Sequence, residues 1–225
     1  NILIKGEIEK NLPVGISENE AISEIRDLAS QNQVFKSLIG NGYYGTIIPP
    51  VVLRNILENP AWYTAYTPYQ PEISQGRLEA IFAFQTAVSD LTGLPIANAS
   101  MLDEATAAAE SLTLARRVWQ GSDDAIFLVD QDLHDHVKAV IHTRAKPLKI
   151  VVKEVDFNTY DFNDLIYGAI LAYPNSTGEI KDLTRAISEI KDKGALVVVD
   201  CDLLASTLLK SPGDLGADIA IGSAQ

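Results

Sequence analysis

The sequence predicts an α/β fold in which a mostly parallel sheet is covered by helices. A chain of 225 residues with 47% hydrophobic content can bury a substantial core. Short apolar runs rich in β-branched residues alternate with helical stretches along most of its length. Those runs are continuously apolar, as strands buried on both faces of a sheet are. We expect a helical arm and extended segment over 1–60 and the sheet domain over 61–225.

The arm is predicted to carry one helix, over residues 17–30. Ser17 can cap it, and Glu20 stands where a capping box requires an acid. Apolar side chains recur at helical spacing at Ile22, Ile25 and Leu28. From 40 to 75 the chain is dense in Gly, Pro, Tyr and Asn, which predicts a long irregular segment. Within it we expect residues 63–76 to be ordered but not helical through Pro68 and Pro71.

The sheet domain is predicted to open with two helices, over 77–91 and 103–119, before strands and helices alternate. The apolar faces of both helices have the period of an amphipathic helix. The predicted strands are 125–129, 150–155, 169–173, 195–200 and 218–221. The helices between them are predicted at 134–144, 182–192 and 203–209.

Charge and composition exclude several classes of partner. Thirty acids against eighteen Lys and Arg give a net charge of −12, so affinity for nucleic acid is not expected. No run approaches the roughly 20 apolar residues of a membrane span. A single cysteine, Cys201, excludes an internal disulfide framework. His134 and His136 at i, i+2 do not share a helix face, so we expect no metal site.

Polar residues follow the predicted strands, where ligands of open α/β sheets bind. They lie at 130–136, 174–178 and 200–202, and residues 100–104 open a helix whose free N–H groups could hold an anion. Strand-end aspartates are also ordinary helix caps, so these positions alone do not define a site. The glycine-rich motifs of dinucleotide and P-loop enzymes and the nucleophile elbow of α/β hydrolases are absent from the sequence.

The most informative run is Trp62–Gly76, which holds three tyrosines, two threonines and two glutamines. Such side chains suit the lining of a polar ligand site and a subunit interface equally well. From Tyr63 onwards it reads YTAYTPYQPEISQG and resembles the signature of the N-terminal half of glycine cleavage P-proteins, the decarboxylating glycine dehydrogenases. The resemblance extends over nearly the whole chain, through SLIGNGYYGT at 37–46, LTGLPIANAS at 91–100 and GADIAIGSAQ at 216–225.

The resemblance implies the large domain of fold type I pyridoxal phosphate enzymes, here incomplete at its C-terminal end. It also implies an enzyme that decarboxylates glycine and transfers the aminomethyl group to the lipoyl arm of H-protein, with pyridoxal phosphate as cofactor. The pattern around Gly42–Gly45 resembles the long version in which two homologous halves are fused. We expect the location to be cytoplasmic in a bacterium, or the mitochondrial matrix in a eukaryote.

The chain departs from the catalytic half at Gln225, which stands where that half has its Schiff-base lysine. An amide cannot form an imine, so this half is expected to hold no cofactor covalently and to be inactive alone. By the same resemblance, residues 100–104 occupy the place of a phosphate-binding loop, although Met101 and Leu102 make it less polar. His134 corresponds to a histidine near the cofactor ring. Asp202 corresponds to the acid beside the pyridine nitrogen, with Asp200 as the rival.

Two roles follow for this half. In the first, a loop completes the active site of the homologous catalytic half, through Tyr66, Thr67, Tyr69, Gln70, Ser74 and Gln75. In the second, the chain is a structural pseudo-subunit that stabilises the catalytic half or docks H-protein. An unrelated α/β binding module would require the long signature to have arisen by chance.

Overall fold

A computed structural model describes residues 13–43, 45–64, 67 and 69–224, apart from the side chain of Pro71. By its internal contacts the chain divides into a unit of residues 1–40 and a unit of residues 41–225. The predicted boundary at residue 60 stays a prediction.

The first unit contains helix α1 (Glu18–Ser30), as its sequence predicts. The capping box is formed: the Glu20 amide donates to the Ser17 hydroxyl over 3.4 Å, and the Ser17 amide donates to the Glu20 carboxylate over 2.8 Å. Two donors of the first turn are thereby satisfied. No residue of α1 is buried.

The second unit is built on a five-stranded sheet with the order β2-β1-β3-β4-β5, in which every neighbouring pair is parallel. The mostly parallel sheet predicted from the apolar runs is therefore confirmed. Its strands are β1 (Ile126–Asp130), β2 (Val152–Val155), β3 (Ile166–Tyr173), β4 (Leu196–Cys201) and β5 (Ile219–Ile221). The central strand, β3, is buried along its whole length.

Helices cover both faces of the sheet. Helices α4 (Glu104–Val118) and α5 (Asp135–Ala145) share one core with the inward side chains of β1, β3 and β4, including Phe127, Ile170 and Val198. Helix α6 (Thr184–Asp192) shares the core on the opposite face, with Leu128, Leu171 and Val197. This is the layered arrangement expected when buried strands alternate with amphipathic helices.

Three elements differ from the sequence predictions in type or by more than two residues. Helix α3 begins at Pro71 and runs to Thr92, so the expectation that 63–76 is not helical through Pro71 is wrong. Proline is tolerated there because the first turn of a helix needs no N–H donor from it. Pro68 lies outside the described residues. The helix predicted over 203–209 is only a 3₁₀ turn at Ala205–Thr207, and β3 begins before the predicted residue 169.

Short elements complete the second unit. Pro50–Val52 forms helix α2, which continues as a π-helical turn over Leu53–Leu57. A 3₁₀ turn, Lys146–Leu148, follows α5, and Pro212–Leu215 forms helix α7 before β5. In the part of the chain that the structure describes, no helix has the length and apolar character needed to span a membrane.

Candidate functional site

The carboxyl ends of β1, β3 and β4 lie side by side, which brings their polar loops to one edge of the sheet. Asp130 ends β1 and is buried. Its carboxylate accepts the Asp132 amide over 3.0 Å and the Ala172 amide over 3.3 Å, and so ties the end of β1 to β3. Burial nevertheless raises the pKa of Asp130.

An ion pair joins the loops that follow β1 and β3. Lys181 donates to the Asp132 carboxylate, and the Ser176 amide donates to the Asp132 carbonyl over 2.8 Å. Burial alone would lower the pKa of Lys181, but its hydrogen bond to Asp132 and the charge of Asp130 raise it. Lys181 therefore stays protonated and fixes the loop that leads to His134.

His134 lies at the start of α5, at the same edge. Its Nδ1 is buried and has no hydrogen-bond partner among the described residues. The ring stacks on His136 with centroids 5.6 Å apart, and His136 contacts the Tyr43 ring at 5.4 Å. Burial, followed by the neighbouring His136, lowers the pKa of His134, so its imidazole is neutral at pH 7.

A glycine brings the Tyr43 segment against this histidine. Gly42 has φ of +83°, and a Cβ built on it would lie 3.3 Å from the His134 Nε2. A larger residue would meet both backbone strain and the imidazole. The sequence alone does not predict this contact, because Gly42 and Tyr43 are distant from His134 along the chain.

The structure gives Asp200 and Asp202, the two alternatives for the acid beside the pyridine nitrogen, different surroundings. Asp200 on β4 is buried, with 7% of its surface exposed, and no hydrogen bond to its carboxylate is found in the described part of the chain. Burial and then the charge of Glu104 raise its pKa well above the ordinary value of 3.8. Asp202 is exposed and accepts the Ala205 amide over 3.0 Å, so it caps the 3₁₀ turn that follows. Its predicted place beside a cofactor stays a prediction.

Helix α4 opens at this edge with carboxylates in its first turn. Asp103 is its N-cap and accepts the Thr106 amide over 2.6 Å, a hydrogen bond that lowers the pKa of Asp103. Glu104 follows directly. Met101 and Leu102 beside the cap are exposed and apolar. A phosphate dianion needs free donors or positive charge, so these residues do not fit the phosphate of pyridoxal phosphate.

The predicted loop residues are distributed over two kinds of structure. Thr67, Tyr69 and Gln70 precede α3 and are exposed, whereas Ser74 and Gln75 belong to the first turns of α3. Ser74 is buried, has φ −128° and ψ 30°, and accepts a hydrogen bond from Arg77.

The loop is separate from the strand-end residues in the described contacts. No hydrogen bond, ion pair or ring contact within the described ranges joins the loop to His134 or Asp200. Tyr66 and Gln225 lie outside those ranges. Nor does the described part of the chain contain three His, Cys, Asp or Glu side chains arranged to hold a metal ion.

Comparisons with known proteins match this chain to one protein family. The family model of the glycine cleavage system P-protein matches residues 2–225. Glycine dehydrogenase (decarboxylating) of Bradyrhizobium diazoefficiens is 60% identical over 214 residues, which are 93% of this chain and 22% of that protein. The Gluconobacter oxydans protein of the same name is 54% identical over 217 residues, covering 96% of this chain and 23% of that protein. The chain thus spans less than a quarter of the length of these relatives.

Solved structures give the same relationship. A crystal structure of glycine decarboxylase (P-protein) of the glycine cleavage system, in inhibitor-bound form, superposes with a TM-score of 0.81 at 34% identity, covering 98% of this chain and 51% of that chain. Cysteine desulfurase CsdA from Escherichia coli, at 16% identity and a TM-score of 0.52, shares the fold alone. The match covers 74% of this chain and 44% of the desulfurase chain. The chain has the fold of the large domain of fold type I pyridoxal phosphate enzymes and belongs to the glycine cleavage system P-protein family.

Proposed function

We propose that this chain is the half of a decarboxylating glycine dehydrogenase that does not anchor the cofactor, and that it completes the active site of a homologous catalytic half. The complete protein is then an oxidoreductase that decarboxylates glycine and passes the aminomethyl group to lipoylated H-protein. Bacterial relatives named for this activity support the proposal and a cytoplasmic location.

One observation carries the proposal: the signature segment directs its polar aromatic side chains away from its own core. Tyr69 is 64% exposed, and Gln70 and Gln75 are exposed as well. The fold of this half does not need these side chains for packing. The exposed neutral donors of Tyr69, Gln70 and Gln75 are available to a ligand bound by another half.

Neutral donors also suit the proposed reaction. The carboxylate of glycine must be held until carbon dioxide leaves, in a site dry enough for nearby dipoles to act strongly. Hydroxyl and amide groups of Tyr66, Tyr69 and Gln70 can orient a carboxylate without an ion pair that would overstabilise the ground state. When bound in the full enzyme, pyridoxal phosphate supplies the electron sink for decarboxylation. The residues described here do not fit its phosphate, and Gln225 cannot anchor it.

A second role, that of a structural pseudo-subunit, is favoured by the surface of α3. Its side chains Ile73, Phe82 and Phe84 are 53%, 59% and 39% exposed. A helix with exposed aromatic side chains of this size is typical of an interface surface. In this role the signature segment would pack against the catalytic half without touching glycine.

Tyrosine substitutions in the full-length protein separate the two roles. Tyr66→Phe and Tyr69→Phe each remove one hydroxyl and keep the ring. We expect each to lower kcat/KM for glycine about tenfold or more, because a lost hydrogen bond to a charged group costs roughly 1.5–3 kcal/mol. Tyr63→Phe is the matched control, because Tyr63 is 60% exposed and lies outside the proposed set.

Turnover and assembly are measured together, with labelled glycine, H-protein and sedimentation of each variant. Lost turnover in correctly assembled protein supports the proposed site. Full turnover in both variants would contradict it. If alanine at Tyr66 or Tyr69 disrupts assembly while phenylalanine is harmless, the segment is interface packing and the structural role holds.

A further inference from the structure

The N-terminus of a long helix at the carboxyl edge of a parallel sheet ordinarily attracts an anion. The free N–H groups of the first turn and the helix dipole both favour negative charge there. Helix α4 has fifteen residues and begins at this edge, so its position is that of a phosphate site. The side chains around this helix start, however, disfavour an anion.

Two of the hydrogen-bond donors at this helix start are already used. The Thr106 amide donates to Asp103, and the hydroxyl of Ser100 donates to the Met101 carbonyl over 2.9 Å. Met101 and Leu102 offer only apolar side chains, 40% and 87% exposed. An incoming phosphate would have to displace the Asp103 carboxylate from the donor that the carboxylate already holds.

The charges around the helix start are negative as well. Asp103 and Glu104 occupy its first positions, and Glu104 acts electrostatically on the buried Asp200. The charged neighbours that shift the pKa of Asp200 and His134 are Glu104, Asp135 and His136, and no lysine or arginine of the described residues is among them. Neutral His134 does not offset the carboxylates. Carboxylates in the first turn of the helix repel an incoming phosphate, which is itself negatively charged.

We propose that Asp103 and Glu104 exclude phosphate-bearing ligands from this edge of the sheet. This half is then closed to pyridoxal phosphate by two independent features, the acidic helix start and the missing lysine at 225. The identification of the excluded ligand as pyridoxal phosphate rests on the proposed function. The exclusion of phosphate itself follows from the side chains at the start of α4 and does not depend on that function.

The test restores the lysine and then removes the charges, in the full-length protein. Gln225→Lys is prepared alone and together with Asp103→Asn and Glu104→Gln. Asparagine caps a helix as well as aspartate does, so the first turn is kept while its charge is lost. The control combines Gln225→Lys with Asp124→Asn and Glu79→Gln, which neutralise two exposed acids elsewhere. Each protein is incubated with pyridoxal phosphate or with pyridoxal, reduced with borohydride, and mapped for label at residue 225.

We expect pyridoxal phosphate to label Lys at position 225 at least about tenfold faster in the charge-neutral protein than in Gln225→Lys alone or in the control. Labelling by pyridoxal, which has no phosphate, should be the same in all three. Inorganic phosphate should slow labelling by pyridoxal phosphate only in the charge-neutral protein. Equal labelling by pyridoxal phosphate with and without the two acids would overturn the proposal. So would an equal gain for pyridoxal, since the substitutions would then only open the site. Turnover of glycine enters none of these readouts, so a failure of the proposed function is seen separately.

Discussion

At the scale of single residues, Asp200 is the most unusual group of the sheet edge. It is buried beside another carboxylate, and its pKa is raised well above 3.8. The folded state therefore holds this proton more tightly than the unfolded state does. The contribution of Asp200 to the stability of the fold is complete below the pKa that the carboxyl has in the unfolded chain. It is lost as pH rises from there towards the pKa that the carboxyl has in the folded protein.

We expect Asp200→Asn to raise the stability of the protein at neutral pH. The asparagine side chain has no charged form, so its burial does not carry the cost of burying an ionisable carboxyl. The advantage should be small near pH 4, should grow as pH rises towards the raised pKa, and should level off above it. It is measured as the thermal midpoint of wild type and variant against pH, with about 2–4 °C for each kcal/mol gained. Asp202→Asn, at the exposed neighbour, should show no such growth. A constant difference across this pH range would show that Asp200 is not the titrating group.

The residues of the site were predictable only where they follow strands. Asp200 comes directly after an apolar run and His134 lies in the loop that follows another, and the structure brings both to the carboxyl edge. Gly42 and Tyr43 carry no such signal, because their contact with the two histidines depends on tertiary packing. Lys181 was missed for the same reason, since its partner Asp132 belongs to a different loop.

At the scale of elements, the long helix α3 ends in a close contact with α7. Gly93 caps α3 with φ of +68°, and a Cβ on Gly213 would lie 2.2 Å from the Gly93 carbonyl oxygen. Because backbone rather than a flexible side chain stands in the way, one of the two segments would have to move. The glycine at 213 is thus required for the two helices to meet.

We expect Gly213→Ala to destabilise the folded protein by roughly 1–3 kcal/mol, as overpacking does in well-packed places. Gly76→Ala is the control: it lies inside α3 with no atom within 4 Å of a new Cβ, so it should be neutral or stabilising by up to about 1 kcal/mol. Denaturant midpoints of both variants provide the measurement. Equal midpoints for the two would refute the close contact.

Periodicity predicted the helices and strands well, and their ends less well. The start of β3 was placed too late because Tyr167 and Gly168 interrupt its apolar run. Gly168 is required there, since a Cβ would lie 2.9 Å from the Phe127 ring. The sequence predicts the start of α3 too late because Pro71 resembles a break, whereas proline is favourable in a first helical turn.

At the scale of the whole molecule, the chain combines a five-stranded parallel sheet with a strand-end edge whose chemistry disfavours phosphate. The sheet could be predicted from sequence because buried parallel strands have a distinctive apolar pattern. The environment of Asp200 could not, because its burial and the influence of Glu104 on it depend on tertiary packing. The resemblance supplied the family, and the structure adds the acidic helix start.

The central claim is that this half contributes to an active site whose cofactor is anchored elsewhere. The direct measurement is borohydride reduction of the full-length wild-type protein loaded with pyridoxal phosphate, followed by peptide mapping of the modified lysine. We predict one reduced adduct per catalytic half, on a lysine outside residues 1–225. An adduct on a lysine of this chain, such as Lys149 or Lys210, would contradict the account.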